Sequence, residues 1–222
     1  MTRVTSTGEP YLLPYLRAAE RFGDGFQSLL WASPRTQKIR FNALRKACDP
    51  KGKSLLDVGC GRADFLEYLV DVDARPADYI GMEMVPQLAS AARKRAKEFR
   101  HRVPAMILRA DFVREPARLF VGADIVAFSG SLNTLDEETF YATLQCAYAA
   151  AGEAIVFNFL CSPALAGQDY LVWHETDDVL RFAETLGREI RIRSDYLMGD
   201  CTVCIVKAGA EHFPSPGTPG EG

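Results

Sequence analysis

The sequence predicts an α/β protein: a three-layer sandwich around a central, mostly parallel, seven-stranded sheet that ends in an antiparallel hairpin, with helices ahead of it. Three observations carry that expectation. Apolar, β-branched runs alternate with stretches of helical spacing along most of the chain. The first strand-like run leads straight into a loop with two glycines, "SLLDVGCGRADF", Ser54–Phe65. The last two strand-like runs are separated only by "YLMGD", which reads as a hairpin turn and makes them antiparallel neighbours.

The elements follow in order. Tyr11–Phe22 and Arg35–Cys48 carry apolar residues at helical spacing. Ser54–Val58 is a strand and Ala63–Val70 a helix. Tyr79–Glu83 is the second strand, followed by a helix over Pro86–Arg100 with its proline in the first turn. Ala105–Ala110 and Ala123–Ser129 are strands; Asp136–Ala151 is a helix whose opening acids suit the positive end of its dipole. Glu153–Leu160 is a strand, a long loop leads to a helix at Asp177–Leu186, and Glu189–Asp195 and Cys201–Lys207 are the closing strands. Alternation of this kind argues for a parallel sheet covered on both faces.

At 222 residues and 48% hydrophobic content, the chain is long enough for one well-cored domain and short for two. The expected division is a helical cap at 1–50, the main domain at 51–209, and a Pro/Gly-rich, disordered tail at 210–222. The 26 basic and 29 acidic residues leave a net charge of −3, so a nucleic-acid partner is not expected. The basic run Ala92–Arg102 reads as the solvated face of a helix, although it could touch phosphate. The N-terminus has no apolar leader, and no run approaches the roughly 18 apolar residues of a membrane span, so a cytoplasmic protein is expected. The scattered cysteines at 48, 60, 146, 161, 201 and 204 suggest free thiols and no metal. Cys201 and Cys204 form a C-x-x-C, but on a strand they point to opposite faces, which suggests half-buried thiols.

The glycine loop nearly spells G-x-G-x-x-G, but Asp64 stands at the third glycine position. Gly59 and Gly61 permit a sharp turn and close approach of a ligand. Asp57 before the turn and Asp64 after it would repel a pyrophosphate and would favour a cationic group. Asp64 could equally cap a helix, Glu83 could be a surface acid at a strand end, and Asp111 could cap a short helix over Arg114–Leu119.

"DVGCGRAD" after a strand resembles the first motif of the class I S-adenosylmethionine-dependent methyltransferases. The resemblance implies a Rossmann-like fold and S-adenosylmethionine as cofactor, with S-adenosylhomocysteine as product. It implies contacts from Asp57, Gly59, Cys60 and Gly61 in the loop, and from Glu83, beside Met84, to the ribose hydroxyls. Asp111 would take the adenine amino group, Phe112 would cover the ring, and Ser129 would stand beside the methionine end. "FGDGFQSLLWASPRTQKIRFNAL", with "DYLMGDCTVCIVK", is further similar to a bacterial group of such enzymes of undefined substrate. On that helix Arg40 could bind the cofactor carboxylate by a charge-assisted pair, or be a surface arginine.

The sulfonium methyl is already activated, so an in-line displacement needs mainly alignment. After the fourth strand the chain reads Ser129-Gly130-Ser131-Leu132, which lacks the Asp/Asn-Pro-Pro-aromatic motif of base-amine methylation. A small-molecule acceptor is expected instead, with walls from the N-terminal helices, the loop after the fourth strand and the long "CSPALAGQDYLVWHE" segment, whose Tyr170, Trp173 and His174 suit a lid. His174 is the candidate base, with a hydrogen-bonded lid histidine as the alternative; Asn133 and Asn158 are further polar candidates. A non-catalytic binding module, an NAD-dependent oxidoreductase and an aminopropyl transferase are the competing readings. Asp57 and Asp64 argue against NAD, and no acid-rich acceptor pocket favours a polyamine.

Overall fold

The computed structural model describes residues 9–209, so the tail expected at 210–222 and the first eight residues lie outside the described chain. A single sheet contains all seven strands: β1 (Ser54–Val58), β2 (Asp78–Met82), β3 (Ala105–Leu108), β4 (Ile125–Phe128), β5 (Ala154–Leu160), β6 (Glu189–Arg193) and β7 (Asp200–Val206). Their order across the sheet is β3-β2-β1-β4-β5-β7-β6. The first five run parallel, and β7 enters antiparallel between β5 and β6, as the hairpin reading requires.

Helices α2 (Pro34–Ala47), α3 (Asp64–Asp71) and α4 (Pro86–Phe99) cover one face; α5 (Glu137–Ala150) and α6 (Thr176–Leu186) cover the other. Side chains alternate along β1 to serve both layers: Leu55 packs with Phe41, Leu44 and Leu66, while Leu56 and Val58 pack with Phe140 and Leu144. Strands β5 and β7 are buried at every position, because both of their faces are covered. On α5, Phe140, Leu144 and Ala147 form a helical stripe, and burying each of the two large side chains stabilises by roughly 1.5–3 kcal/mol.

Local chemistry sets the helix starts. The Ser33 hydroxyl accepts from the Thr36 N–H at 3.1 Å, with Pro34 in the first turn, and this fixes the start of α2. Asp136 accepts from the Thr139 N–H at 2.8 Å and starts α5.

The helices expected within 1–50 pack in two places: α2 packs on β5, β6 and β7 as part of a main layer. Only α1 (Leu13–Phe22) and a 3-10 turn at Phe26–Leu29 form a cap, and they pack through Ala19 and Leu29 onto Val85 and Leu88. Cys201 and Cys204 do point to opposite layers, but both are buried rather than half-buried. Cys201 Sγ lies 3.1 Å from Cys161 Sγ. No described helix is long and apolar enough to cross a membrane.

Candidate functional site

The carboxyl ends of β1 to β4 open on one cavity of ≈ 280 Å³. Such an edge, where strand order reverses beside β1, is the usual ligand position in an open α/β sheet. Gly59 and Gly61 take left-handed φ values of +71° and +58° there. A Cβ on Gly59 would stand 2.4 Å from Ser131 Cβ, and one on Gly61 would stand 2.6 Å from Leu29 Cδ2. The missing side chains therefore admit two of the protein's own, one from the loop after β4 and one from the cap. A third left-handed residue follows at Ala63, φ +58°, so the backbone demand falls one position before Asp64.

The loop's acids meet different fates. Glu83 is buried, with one oxygen accepting from the Gly61 N–H at 2.9 Å and the other from the Val85 N–H at 2.8 Å. Desolvation raises its pKa to about 7 against the pull of those bonds. Asp57 is also buried; it accepts from the Tyr79 hydroxyl at 2.5 Å, and desolvation again raises its pKa to about 7. Asp64 is the first residue of α3 and forms no side-chain cap. It pairs instead with Arg62 and Arg95 and accepts from Gln37 Nε2 at 3.2 Å, so its charge is answered within the protein. Asp111 accepts from the Tyr11 hydroxyl at 2.9 and 2.8 Å and from the Val113 and Arg114 N–H groups at 3.0 and 3.3 Å. That local turn is not the helix cap considered from the sequence, for the 3-10 turn that follows is Pro116–Leu119 with Glu115 at its N-cap; it is combined with a long-range lock from the N-terminal segment.

All ten ligand positions expected from the sequence line this one cavity: Asp57, Gly59, Cys60 and Gly61 from the loop, Glu83 with Met84, Asp111 with Phe112, and Arg40 and Ser129. His174 does not join them. Its ring stacks on Phe140 at 3.9 Å between centroids, its backbone N–H donates to the Leu160 carbonyl at 2.9 Å, and burial lowers its pKa. The expected lid contributes Leu171 to the lining, while Trp173 bridges to Leu160 beside β5.

The N-terminal cap supplies the roof instead, through Tyr11, Tyr15, Leu29, Leu30 and Trp31. Burial and the nearby Glu83 push the Tyr15 hydroxyl well above the usual phenol range. The sequence led to walls from the N-terminal helices without naming these residues, for which the density of aromatic and leucine residues ahead of "SPRTQK" was the signal.

Arg40 is not a surface arginine. It forms an ion pair with the fully buried Asp200, and its guanidinium lies 5.0 Å from the centre of the Trp31 ring. Asp200 also accepts from the Tyr196 hydroxyl at 2.5 Å, and Tyr196 contacts Thr202 Oγ1 at 2.7 Å. Three buried atoms of cavity-lining residues have no hydrogen-bond partner: Arg40 Nε, Ser129 Oγ and Asn133 Oδ1. Asn158 is spent on structure, its Oδ1 accepting from the Gly130 N–H at 2.8 Å.

No protein-family model and no curated protein sequence matches the chain. Solved structures do. Magnesium protoporphyrin IX methyltransferase (ChlM) from Synechocystis PCC 6803, with bound SAH, superposes with a TM-score of 0.66 over 90% of this chain and 100% of its own, at 13% identity. An O-methyltransferase family protein from Burkholderia thailandensis gives 0.67 over 88% of this chain and 61% of its own, at 14% identity. The pyocyanin biosynthetic protein PhzM gives 0.65 over 91% and 63%, at 20% identity. The chain shares the α/β fold of these methyltransferases, as the resemblance of the glycine loop had implied.

Proposed function

We propose that the chain is an S-adenosylmethionine-dependent methyltransferase acting on a small-molecule acceptor. The observation that carries this reading is the meeting of Glu83, Asp111 and the Gly59–Gly61 loop on a single cavity at the strands' carboxyl ends. The residues fit the cofactor chemically. Asp57 and Glu83 are carboxyls whose ionised forms burial penalises; a ligand ammonium would relieve that penalty at Asp57, and ribose hydroxyl donors would relieve it at Glu83. Ser129 Oγ and Asn133 Oδ1 can accept ligand donors, and Arg40 Nε can donate to a ligand carboxylate. A pyrophosphate offers none of the donors and adds negative charge.

In this reading Glu83 and Met84 hold the ribose, Asp111 and Phe112 the adenine, and Asp57, Ser129 and Arg40 the amino-acid end. Bound there, S-adenosylmethionine supplies a methyl group already activated by its sulfonium. The protein's own share is alignment and exclusion of water, worth several kcal/mol of the order of 7–11 when geometry is ideal. Tyr15, Leu29 and Trp31 close the roof, while Leu160, Leu171 and Leu197 leave an apolar wall suited to a small apolar or aromatic acceptor. An acceptor hydroxyl would have to lose its proton without His174, which stacks away from this cavity.

Calorimetric titration with S-adenosylmethionine, S-adenosylhomocysteine and NADH tests the reading. Micromolar binding of the first two with NADH silent is expected; binding of NADH alone would replace it with the oxidoreductase reading. Cofactor consumption across an acceptor panel then separates an enzyme from a binding module.

A further inference from the structure

The geometry points to Asp200 as the positioning residue that holds Arg40 for the ligand's carboxylate, which makes the C-terminal hairpin a determinant of cofactor selectivity. The inference rests on the S-adenosylmethionine reading of the cavity. Asp200 opens β7, on the side of the sheet remote from Glu83 and Asp111, and its side chain is fully buried. A buried carboxylate facing a buried guanidinium is costly unless geometry and further hydrogen bonds compensate. Here the Tyr196 hydroxyl supplies one such bond, and the Trp31 ring covers the guanidinium from above.

The ion pair occupies one terminal nitrogen of Arg40, Nη2. Nη1 lies over Gly130, 3.9 Å from the position a Cβ there would take, and Nε is buried without a partner. Arginine is a rigid five-donor fork, so fixing one prong fixes the others. Asp200 thus fixes a guanidinium whose remaining donors belong to a cavity-lining residue next to Ser129 and Gly130. A guanidinium held in place selects a carboxylate through a donor left free by the ion pair, and it discriminates against a ligand from which that carboxylate is missing.

The test pairs two ligands with full-length variants. S-adenosylhomocysteine carries the amino-acid carboxylate; 5′-methylthioadenosine keeps adenine, ribose and sulfur and lacks the amino acid. Calorimetry of Asp200→Asn should show affinity for the first reduced about tenfold and affinity for the second within about twofold of wild type. Arg40→Gln should give a similar selective loss, and adding Asp200→Asn to it should change little further, because the aspartate acts through the arginine. Tyr196→Phe, the mildest change, should give the same pattern at smaller size. Equal losses for both ligands would mark Asp200 as merely structural. An unchanged or increased preference for S-adenosylhomocysteine, or a full additional loss in the double variant, would also overturn the assignment. If wild-type protein bound neither ligand, the cofactor reading itself would fall.

Discussion

The two sides of the glycine loop carry buried acids in opposite conditions. On the outer side, at the start of α3, Asp64 is matched by Arg62, Arg95 and Gln37. On the inner side, at the ends of β1 and β2, Asp57 and Glu83 receive hydrogen bonds from a tyrosine and the backbone and, among the described residues, no ion pair, and burial lifts both toward neutrality. A carboxylate paired within the protein contributes to folding; on the proposed reading, the desolvated Asp57 awaits the ligand's ammonium and the desolvated Glu83 its ribose hydroxyls. The loop separates the two roles by the width of one turn.

The largest expected effect breaks the inner side. Glu83→Gln should weaken S-adenosylmethionine binding by about 3 kcal/mol, roughly a hundredfold, because a hydrogen bond to a charged group contributes about 1.5–3 kcal/mol. Asp64→Asn should leave that affinity within about twofold while lowering thermal stability by about 1–3 kcal/mol, as two partly buried arginines lose their partner. Calorimetry and thermal melts read both; an affinity loss in the outer variant as large as in the inner one would erase the distinction.

A second contrast sharpens what the glycines do. Gly59→Ala forces a left-handed alanine against Ser131 and should destabilise by about 2–4 kcal/mol. Gly52→Ala has the same left-handed backbone, φ +74°, but nothing within 4 Å, so about 1–2 kcal/mol is expected. Denaturant melts of the pair isolate the crowding from the backbone preference.

His174→Ala should cost about 2–3 kcal/mol of stability through the lost stack on Phe140, and leave cofactor affinity unchanged. Loss of affinity without loss of stability would return the histidine to the site.

The smallest effect is in pH. The ordinary carboxyl values are 3.8 for aspartate and 4.5 for glutamate, while folded Asp57 and Glu83 keep their protons to about 7. Between those values the folded form binds more protons than the unfolded, so these two groups make stability fall as pH rises through that window. Affinity for a cationic ligand should move the other way, rising between pH 6 and 8 with proton release on binding. Titration in buffers of different ionisation enthalpy counts those protons, and zero release would contradict the desolvated inner side.

The fold was legible because its signals are local. Alternating periodicities gave all seven strands and their covering helices, and the short turn at "YLMGD" gave the antiparallel end. The positions of Glu83 and Asp111 followed from strand ends. What was hidden depends on partners distant in sequence. Asp64 looks like a ligand acid until Arg95 folds over it, and Arg40 looks like a surface arginine until Asp200 is brought beneath it. His174 lies in a loop without periodicity, where nothing local says which way a ring faces. The N-terminal helices were expected as walls, but which of their residues face the cavity was hidden, because Tyr11 finds Asp111 only in the folded chain.

The packing of α2 on β7 has a consequence for how the chain is made. Phe41, Leu44 and Ala47 share an apolar cluster with Cys204 and Val206, so an early helix and the last strand complete the same layer. During synthesis that layer stays open until residues 200–206 have left the ribosome. Contacts of such sequence separation slow folding and prolong the exposure of apolar surface. Removing β7 would uncover part of the layer that Phe41 and Leu44 share with Cys204 and Val206, and the nascent protein carries that exposed apolar surface until β7 has emerged.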